Sequence, residues 1–452
     1  MGFFTKGITL PQKSTQMSLE LIDTPLPRKV ILPVQQYLGE PATPTVAVGD
    51  KVKVGEIIAT GEGAHTLPLH ATISGRVSAI GEQLTFRGTL VPAITIEGDG
   101  KDTWTKLPRP NPDTSSLTPS EILKRIHKAG LITKTPAPVP LRSDLVPVDQ
   151  PKTHLSVDGR PVVQRIDTLM ITALDTEPGL EVNRFQATRE HDELPTALSV
   201  LKTLTGATRT IFVVDKHRGP FPQLMSLVAG DEDEMTTITA LNGTSYPISL
   251  PALLIKAVLG REIPLPYGHP RDVGVSLYDL DTVISLGASV AGNCPRVEML
   301  ITVGGAALSQ GGIVRVRIGT TLSDIIEAVG GLKEPAAKII TGGPMMGMAQ
   351  YDLTIPLSKE VSGLFALSFD EIALTTGYRE CINCGRCVMV CPVNLVPGML
   401  SLYCAKDNFE RAEGEGLFTC IECGCCDYVC PSRRPLVHLF RHAKHQLMEA
   451  RQ

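Results

Sequence analysis

Ten of the chain's eleven cysteines lie between positions 381 and 430, and eight of them fall into two copies of one spacing. The first copy is Cys381-x2-Cys384-x2-Cys387-x3-Cys391-Pro392, and the second is Cys420-x2-Cys423-x2-Cys426-x3-Cys430-Pro431. Three thiolates at two-residue gaps on a tight loop can each hold one iron corner of a cubane. The fourth cysteine, at the start of the next element, then reaches across to the partner cluster. The spacing therefore assigns one [4Fe–4S] cluster to Cys381, Cys384, Cys387 and Cys430, and a second to Cys420, Cys423, Cys426 and Cys391. Gly385 and Gly424 relieve crowding where backbone approaches inorganic sulfide, and Pro392 and Pro431 stop the preceding turn from running on as helix. The competing occupant is structural zinc, which takes four ligands, usually from paired C-x2-C knuckles. Zinc gives no reason for a third and fourth cysteine at these offsets, twice over. The chemistry that remains is transfer of electrons one at a time.

Other candidate groups read more plainly. Cys425 adjoins a ligand, but the register selects Cys426; Cys404 and Cys294 read as small buried apolar residues. His438, His442 and His445 share a helical spacing that could bind metal, yet no acidic or cysteine ligand accompanies them, and a solvated basic helix is the simpler reading. On that helix, PLVHLFRHAKHQLMEA, Leu436, Phe440, Ala443 and Leu447 share one face while Arg441, Lys444 and His445 look outward. No G-x-G-x-x-G and no G-x4-G-K-[ST] occurs, so neither standard nucleotide fingerprint is present. GGPMMG (342–347) fits either a tight turn or a ligand loop. Asn242-Gly243-Thr244 reads as a turn.

Several kinds of element must position the cysteines. VAVGDKVKVGEIIATGEG (46–63) and LPLHATISGRVSAI (67–80) alternate apolar residues and break at glycines, which predicts short β-strands. The pattern is similar to the barrel-sandwich hybrid of lipoyl and biotinyl domains, but no lysine occurs between Lys53 and Lys101, so no lipoate or biotin is expected. SEILKRIHKAG (120–130) predicts a helix capped by Ser120 and closed by Gly130. The following stretch carries prolines at 136, 138, 140, 147 and 151 and can be neither helix nor central strand. Strand-like IDTLMITAL and RTIFVVD alternate with helical ELPTALSVLKTLTG and LPALLIKAVLG, which predicts a βαβ-type domain. VEMLITVGG, IVRVRIG and KIITGG frame the amphipathic LSDIIEAVGG, which predicts a β-grasp-like α+β module. The expected fold class is thus multidomain α/β plus β, with units at 1–105, 118–270, 271–365 and 370–452.

Composition bounds the function. The chain has 452 residues, too many for one domain. A net charge of −4 and 4% aromatic residues give neither the field nor the stacking surface for nucleic acid. No apolar run reaches membrane-spanning length, and the N-terminal segment has no secretory core, so any membrane association is expected through partners.

The order of parts, with DVGVSLYDLDT (272–282), VRVRIGTTLSDIIEAVGG (314–331), ITGGPMMGMA (340–349) and CIECGCCDYVCPSRRPLVHLFRHAK (420–444), resembles the C subunit of the Rnf ion-translocating electron transport complex. Related proteins include the cluster-free A subunit of the sodium-translocating NADH:quinone reductase and a cobalamin reductase. The resemblance implies an α/β domain similar to the NADH- and flavin-binding subunit of complex I, an SLBB-like β-grasp module and a two-cluster ferredoxin-like domain. It also implies a peripheral place on the cytoplasmic side of the cell membrane and electrons passed to other subunits of a membrane complex. Family members carry a GLGGAGFP-like loop after the first helix, where this chain has Ala129-Gly130-Leu131-Ile132 and then TKTPAPVP. Likewise Tyr246-Pro247-Ile248-Ser249-Leu250 replaces YPQG, and ALDTEP (173–178) keeps Glu177 and Pro178 but is closer to the cluster-free relative. These changes remove glycines and N–H donors that FMN contacts would need. The expected function is an iron–sulfur relay subunit fed by a redox donor protein; the alternatives are an NADH-oxidising FMN dehydrogenase, a cobalamin-reductase-like flavoprotein, or an adapter with structural metal.

Overall fold

The computed structural model describes residues 6–9, 20–61, 63, 65–107, 114, 116–145, 147, 153–155, 161–163, 165–231, 234–243, 245–372, 377 and 379–451. Thr244 of the Asn-Gly-Thr triplet and Pro151 lie outside them, as does part of the segment between the first two expected units.

The glycine-punctuated N-terminal segment forms two antiparallel sheets. One orders Lys29–Pro33, Leu90–Gly98, Gly75–Leu84 and Lys51–Val52; the other contains Thr43–Pro44, Ile57–Thr60 and Leu69–His70. Gly75 is required by the ladder itself, because a Cβ there would collide with the Glu97 carbonyl of the neighbouring strand. Next, the helix Pro119–Lys128 is capped by Thr118, two residues ahead of the expected Ser120. A capping box explains the choice: Thr118 Oγ1 accepts from the Glu121 amide, and the Glu121 carboxylate accepts from the Thr118 amide at 2.9 Å.

Near-continuous apolar runs make a fully parallel four-stranded sheet in the order Thr236–Leu241, Arg209–Asp215, Thr168–Thr172, Val275–Asp279. Helices Leu194–Thr205 and Leu280–Gly292 join Pro119–Lys128 over one face; Pro251–Leu259 covers the other. Although the sequence divides the chain at 270, the strand Val275–Asp279 pairs with Thr168–Thr172 and completes this sheet.

The third sheet is mixed and has six strands: Leu21–Asp23, Gly312–Arg317, Glu298–Gly304, Gly363–Leu367, Lys338–Thr341 and Met348–Gln350. The helix Leu322–Ala328 packs against it. Its core is continuous with that of the N-terminal sheets: Val30, Leu32, Ile94 and Ile96 share one buried cluster with Ile301, Val314, Val316 and Ile325. Hydrogen bonds cross the same boundary, from Thr72 Oγ1 to the Ile318 carbonyl at 2.7 Å and from Arg317 to Asp102 at 2.7 Å.

Five helices carry the cysteine-bearing unit: Arg386–Val390, Pro397–Cys404, Phe409–Gly414, Cys425–Tyr428 and Leu436–Glu449. They enclose Leu400, Cys404, Leu417, Leu436 and Phe440. The N-terminal segment reaches this unit as well. Ile8–Thr9 pairs with Ser245–Tyr246, and the Gly7 amide donates to the Val390 carbonyl at 3.0 Å.

Because the first and third modules share one core, Ile94→Ala, which empties a fully buried site, is expected to cost about 2–5 kcal/mol. It should lower hydrogen-exchange protection in 298–317 as well as in 29–33. A loss confined to the N-terminal sheets would contradict a common core.

Candidate metal centres

Two loops of identical backbone design present the cysteines. In the first, Asn383 (φ +54°) and Gly385 (φ +74°) adopt left-handed conformations on either side of Cys384; in the second, Glu422 (φ +57°) and Gly424 (φ +76°) do so around Cys423. The pattern continues beyond the fourth cysteines, where Asn394 (φ +60°) and Arg433 (φ +51°) stand three residues after Cys391 and Cys430. Left-handed residues turn the chain back on itself, so the thiols of each trio point into the loop instead of along a helix.

Cys381, Cys384 and Cys387 line one cavity of about 190 Å³, and Cys430 lines it from the other loop together with Pro431 and Ser432. That volume is about six times the ~30 Å³ share of one water. Among the described residues no three metal-ligating side chains converge at the spacing of a single bound ion. At the second loop, burial and the neighbouring Asp427, Cys420, Cys423 and Cys391 all push the Cys426 thiol up. Backbone amides face sulfur at the second site: the Leu395 amide donates to Cys391 Sγ at 3.3 Å, and the Glu422 amide to Cys420 Sγ at 3.4 Å. Thiolate donors, enclosed volume and N–H···S bonds together fit an iron–sulfur cluster.

The two sites differ in exposure. Cys384 is exposed, whereas Cys391, Cys423 and Cys426 are buried. Burial pushes Cys420 up to about 12 and Cys426 higher, so without metal these remain neutral thiols, and metal capture there releases protons. Cys404 is buried as expected, and Cys425 is buried too, with its Sγ turned toward the Tyr246 carbonyl 4.0 Å away. Cys294 is only half-buried. The three histidines are exposed. Arg441 and Lys444, by contrast, do not look outward: Arg441 Nε bonds Glu422 at 2.8 Å, and Lys444 bonds Glu422 and the Cys420 carbonyl at 2.7 Å each. The helical wheel misses this because Glu422 belongs to a distant loop.

A second region adjoins the buried site. A cavity of about 460 Å³ opens at the carboxyl ends of Thr168–Thr172 and Val275–Asp279, the point where strand order reverses and ligands of open α/β sheets bind. Glu422 and Arg441 form its wall on the cysteine side. GGPMMG lines it but does not offer its amides. Those of Gly343, Met345 and Met346 donate to the Glu177 carboxylate at 3.1, 2.9 and 2.6 Å. The 131–141 segment is a small antiparallel hairpin, Ile132–Thr133 with Val139–Pro140, in which Pro136, Pro138 and Pro140 have no N–H and the Val139 and Leu141 amides are bonded internally. Carboxylates dominate the deeper wall. Burial pushes Asp175 up to about 7, and Glu181, behind that wall, up to about 8, while Arg296 and Lys134 outweigh burial at Asp281 and hold it near 2.

Comparison with known proteins agrees with this arrangement. The RnfC barrel sandwich hybrid domain matches residues 3–101, the SLBB domain residues 300–349, and a 4Fe-4S binding domain residues 378–396. The C subunit of the proton-translocating ferredoxin:NAD(+) oxidoreductase complex of Clostridium ljungdahlii is 32% identical over 86% of this chain and 82% of its own. The Na(+)-translocating counterpart of Acetobacterium woodii is 29% identical over 100% of this chain and 98% of its own. Among solved structures, the NAD+-reducing [NiFe]-hydrogenase in its H2-reduced state gives a TM-score of 0.48 at 16% identity, covering 75% of this chain and 64% of that one. Fold and site define an iron–sulfur electron-transfer protein. More particularly, the chain belongs to the family of C subunits of the Rnf ion-translocating oxidoreductase complexes.

Two outcomes are expected. Gly424→Ala meets both a left-handed backbone and the Met345 carbonyl 3.0 Å from the new Cβ, whereas Gly385→Ala has open space; bound iron should fall by about half in the first variant and much less in the second. Asp175 and Glu181 have folded values above their unfolded ones. The stability they contribute is therefore complete in acid and is lost as pH rises through about 7 and 8. Asp175→Asn should flatten the fall in melting temperature between about pH 4 and 7; an unchanged slope there would refute the assignment.

Proposed function

We propose that the chain is the peripheral iron–sulfur relay subunit of a membrane-bound Rnf-type complex. One [4Fe–4S] cluster is held by Cys381, Cys384, Cys387 and Cys430, and the other by Cys420, Cys423, Cys426 and Cys391. The observation that carries this reading is the cavity that Cys430 lines together with the other loop's trio. No single-motif zinc knuckle needs that exchange. The relatives are named as subunits of ferredoxin:NAD(+) oxidoreductase complexes, and the same assembly, attached on the cytoplasmic face, is the setting proposed for this chain. Among the described residues no helix is long and apolar enough to cross a membrane, so attachment through partner subunits is the natural arrangement.

The division of labour follows from exposure. The Cys384 site meets solvent amid exposed Ile382, Val396 and Met399, a surface suited to a protein redox partner. The Cys423 site faces inward toward the 460 Å³ cavity. In the family the α/β domain takes FMN and NADH, but here both backbone segments able to cradle a phosphate are engaged. One is filled by Glu177, and the other is rich in prolines without N–H. The wall carries six acidic against three basic side chains among Asp175, Glu177, Asp279, Asp281, Glu360, Glu422, Arg87, Lys134 and Arg441, which is unfavourable for an anionic nucleotide. The α/β domain therefore serves as a scaffold, and electrons arrive from a protein donor.

Protein purified without oxygen should contain about eight iron and eight acid-labile sulfide per chain and no flavin. Its visible absorbance should bleach with dithionite but not with NADH. Flavin near one per chain with rapid bleaching by NADH would restore the dehydrogenase reading, and zinc without sulfide would end the electron-transfer account.

A further inference from the structure

The buried loop Cys420–Cys423 is held by hydrogen-bond donors from two other parts of the chain. The Tyr246 hydroxyl donates to the Cys423 carbonyl at 2.6 Å, with Tyr246 4% and Cys423 7% exposed. From the opposite side, Lys444 Nζ donates to the Cys420 carbonyl at 2.7 Å and is also bonded to Glu422. Arg441 completes the set on Glu422 at 2.8 Å, so one carboxylate faces two cations and the group carries a formal charge of +1.

An electron added to this site brings negative charge into a place where Cys391, Cys423 and Cys426 are all buried. Burial alone disfavours that charge and pulls a cluster's potential down. Donor dipoles aimed at the ligand-bearing peptides, with the Lys444 ammonium against the Cys420 carbonyl, act in the other direction. We propose that Tyr246 and Lys444 are positioning residues that set the reduction potential of the second cluster, raising it enough to exchange electrons with the exposed first one. Tyr246 acts through the Cys423 peptide and Lys444 through the Cys420 peptide. The inference rests on the two-cluster reading above.

The test is an anaerobic redox titration of the full chain, following each reduced cluster by its paramagnetic resonance signal. Tyr246→Phe, which deletes one hydroxyl, should shift one of the two midpoints to more negative potential and leave the other in place. Lys444→Met should shift the same midpoint further, and Lys444→Arg, which keeps the charge, should largely restore it. Iron and sulfide content distinguishes the failures. If the unaltered chain lacks clusters, the two-cluster reading falls. If both clusters are present but the midpoints stay put, or both move together, the role given to Tyr246 and Lys444 is overturned.

Discussion

The buried carboxylate of Glu177 is the joint on which the architecture turns. It comes from the loop after the strand Thr168–Thr172, yet its three partners are amides of GGPMMG, in the turn between two strands of the six-stranded sheet. Burial raises its proton affinity, and the three N–H donors counter that, each bond to a charged group contributing about 1.5–3 kcal/mol. The tightened loop presses the Met345 carbonyl against Gly424, where there is no room for a Cβ, and offers the Met346 carbonyl to Arg441 at 2.8 Å. One side chain thus ties the parallel sheet, the mixed sheet and the second cysteine loop to a common origin.

That joint also occupies backbone amides at the edge of a crevice that the sheet leaves open. An open α/β sheet places a crevice where its strand order reverses, and the crevice remains here at about 460 Å³. A cradle of free backbone amides is what turns such a crevice into an anion site. Here an internal carboxylate takes the GGPMMG amides, and the neighbouring hairpin carries three prolines without N–H.

The cysteine spacing was legible in full as a pattern, because ligand offsets along a loop are a local property. The alternating strands, the parallel-sheet runs and the exposed histidines were legible for the same reason. What escaped was non-local. The wheel of the C-terminal helix turned Arg441 and Lys444 to solvent, since nothing in 435–450 reveals that Glu422 lies opposite. The boundary at 270 cut off Val275–Asp279, because a strand's partner is chosen by sheet topology. Thr118 displaced Ser120 as the cap through a reciprocal bond to Glu121, an S/T-x-x-E signal that was present in the sequence. GGPMMG, open between turn and ligand loop, proved to be a turn whose ligand is the chain itself.

The strand Leu21–Asp23 finds its partner only at Gly312–Arg317, and Gly7 meets Val390. At roughly 5–20 residues per second of synthesis, the first of these edges waits on the order of 15–60 s before its neighbour leaves the ribosome. During that interval the earliest-made strands stand with open backbone edges. Of all the chain's segments, these have the longest exposure to strangers during translation.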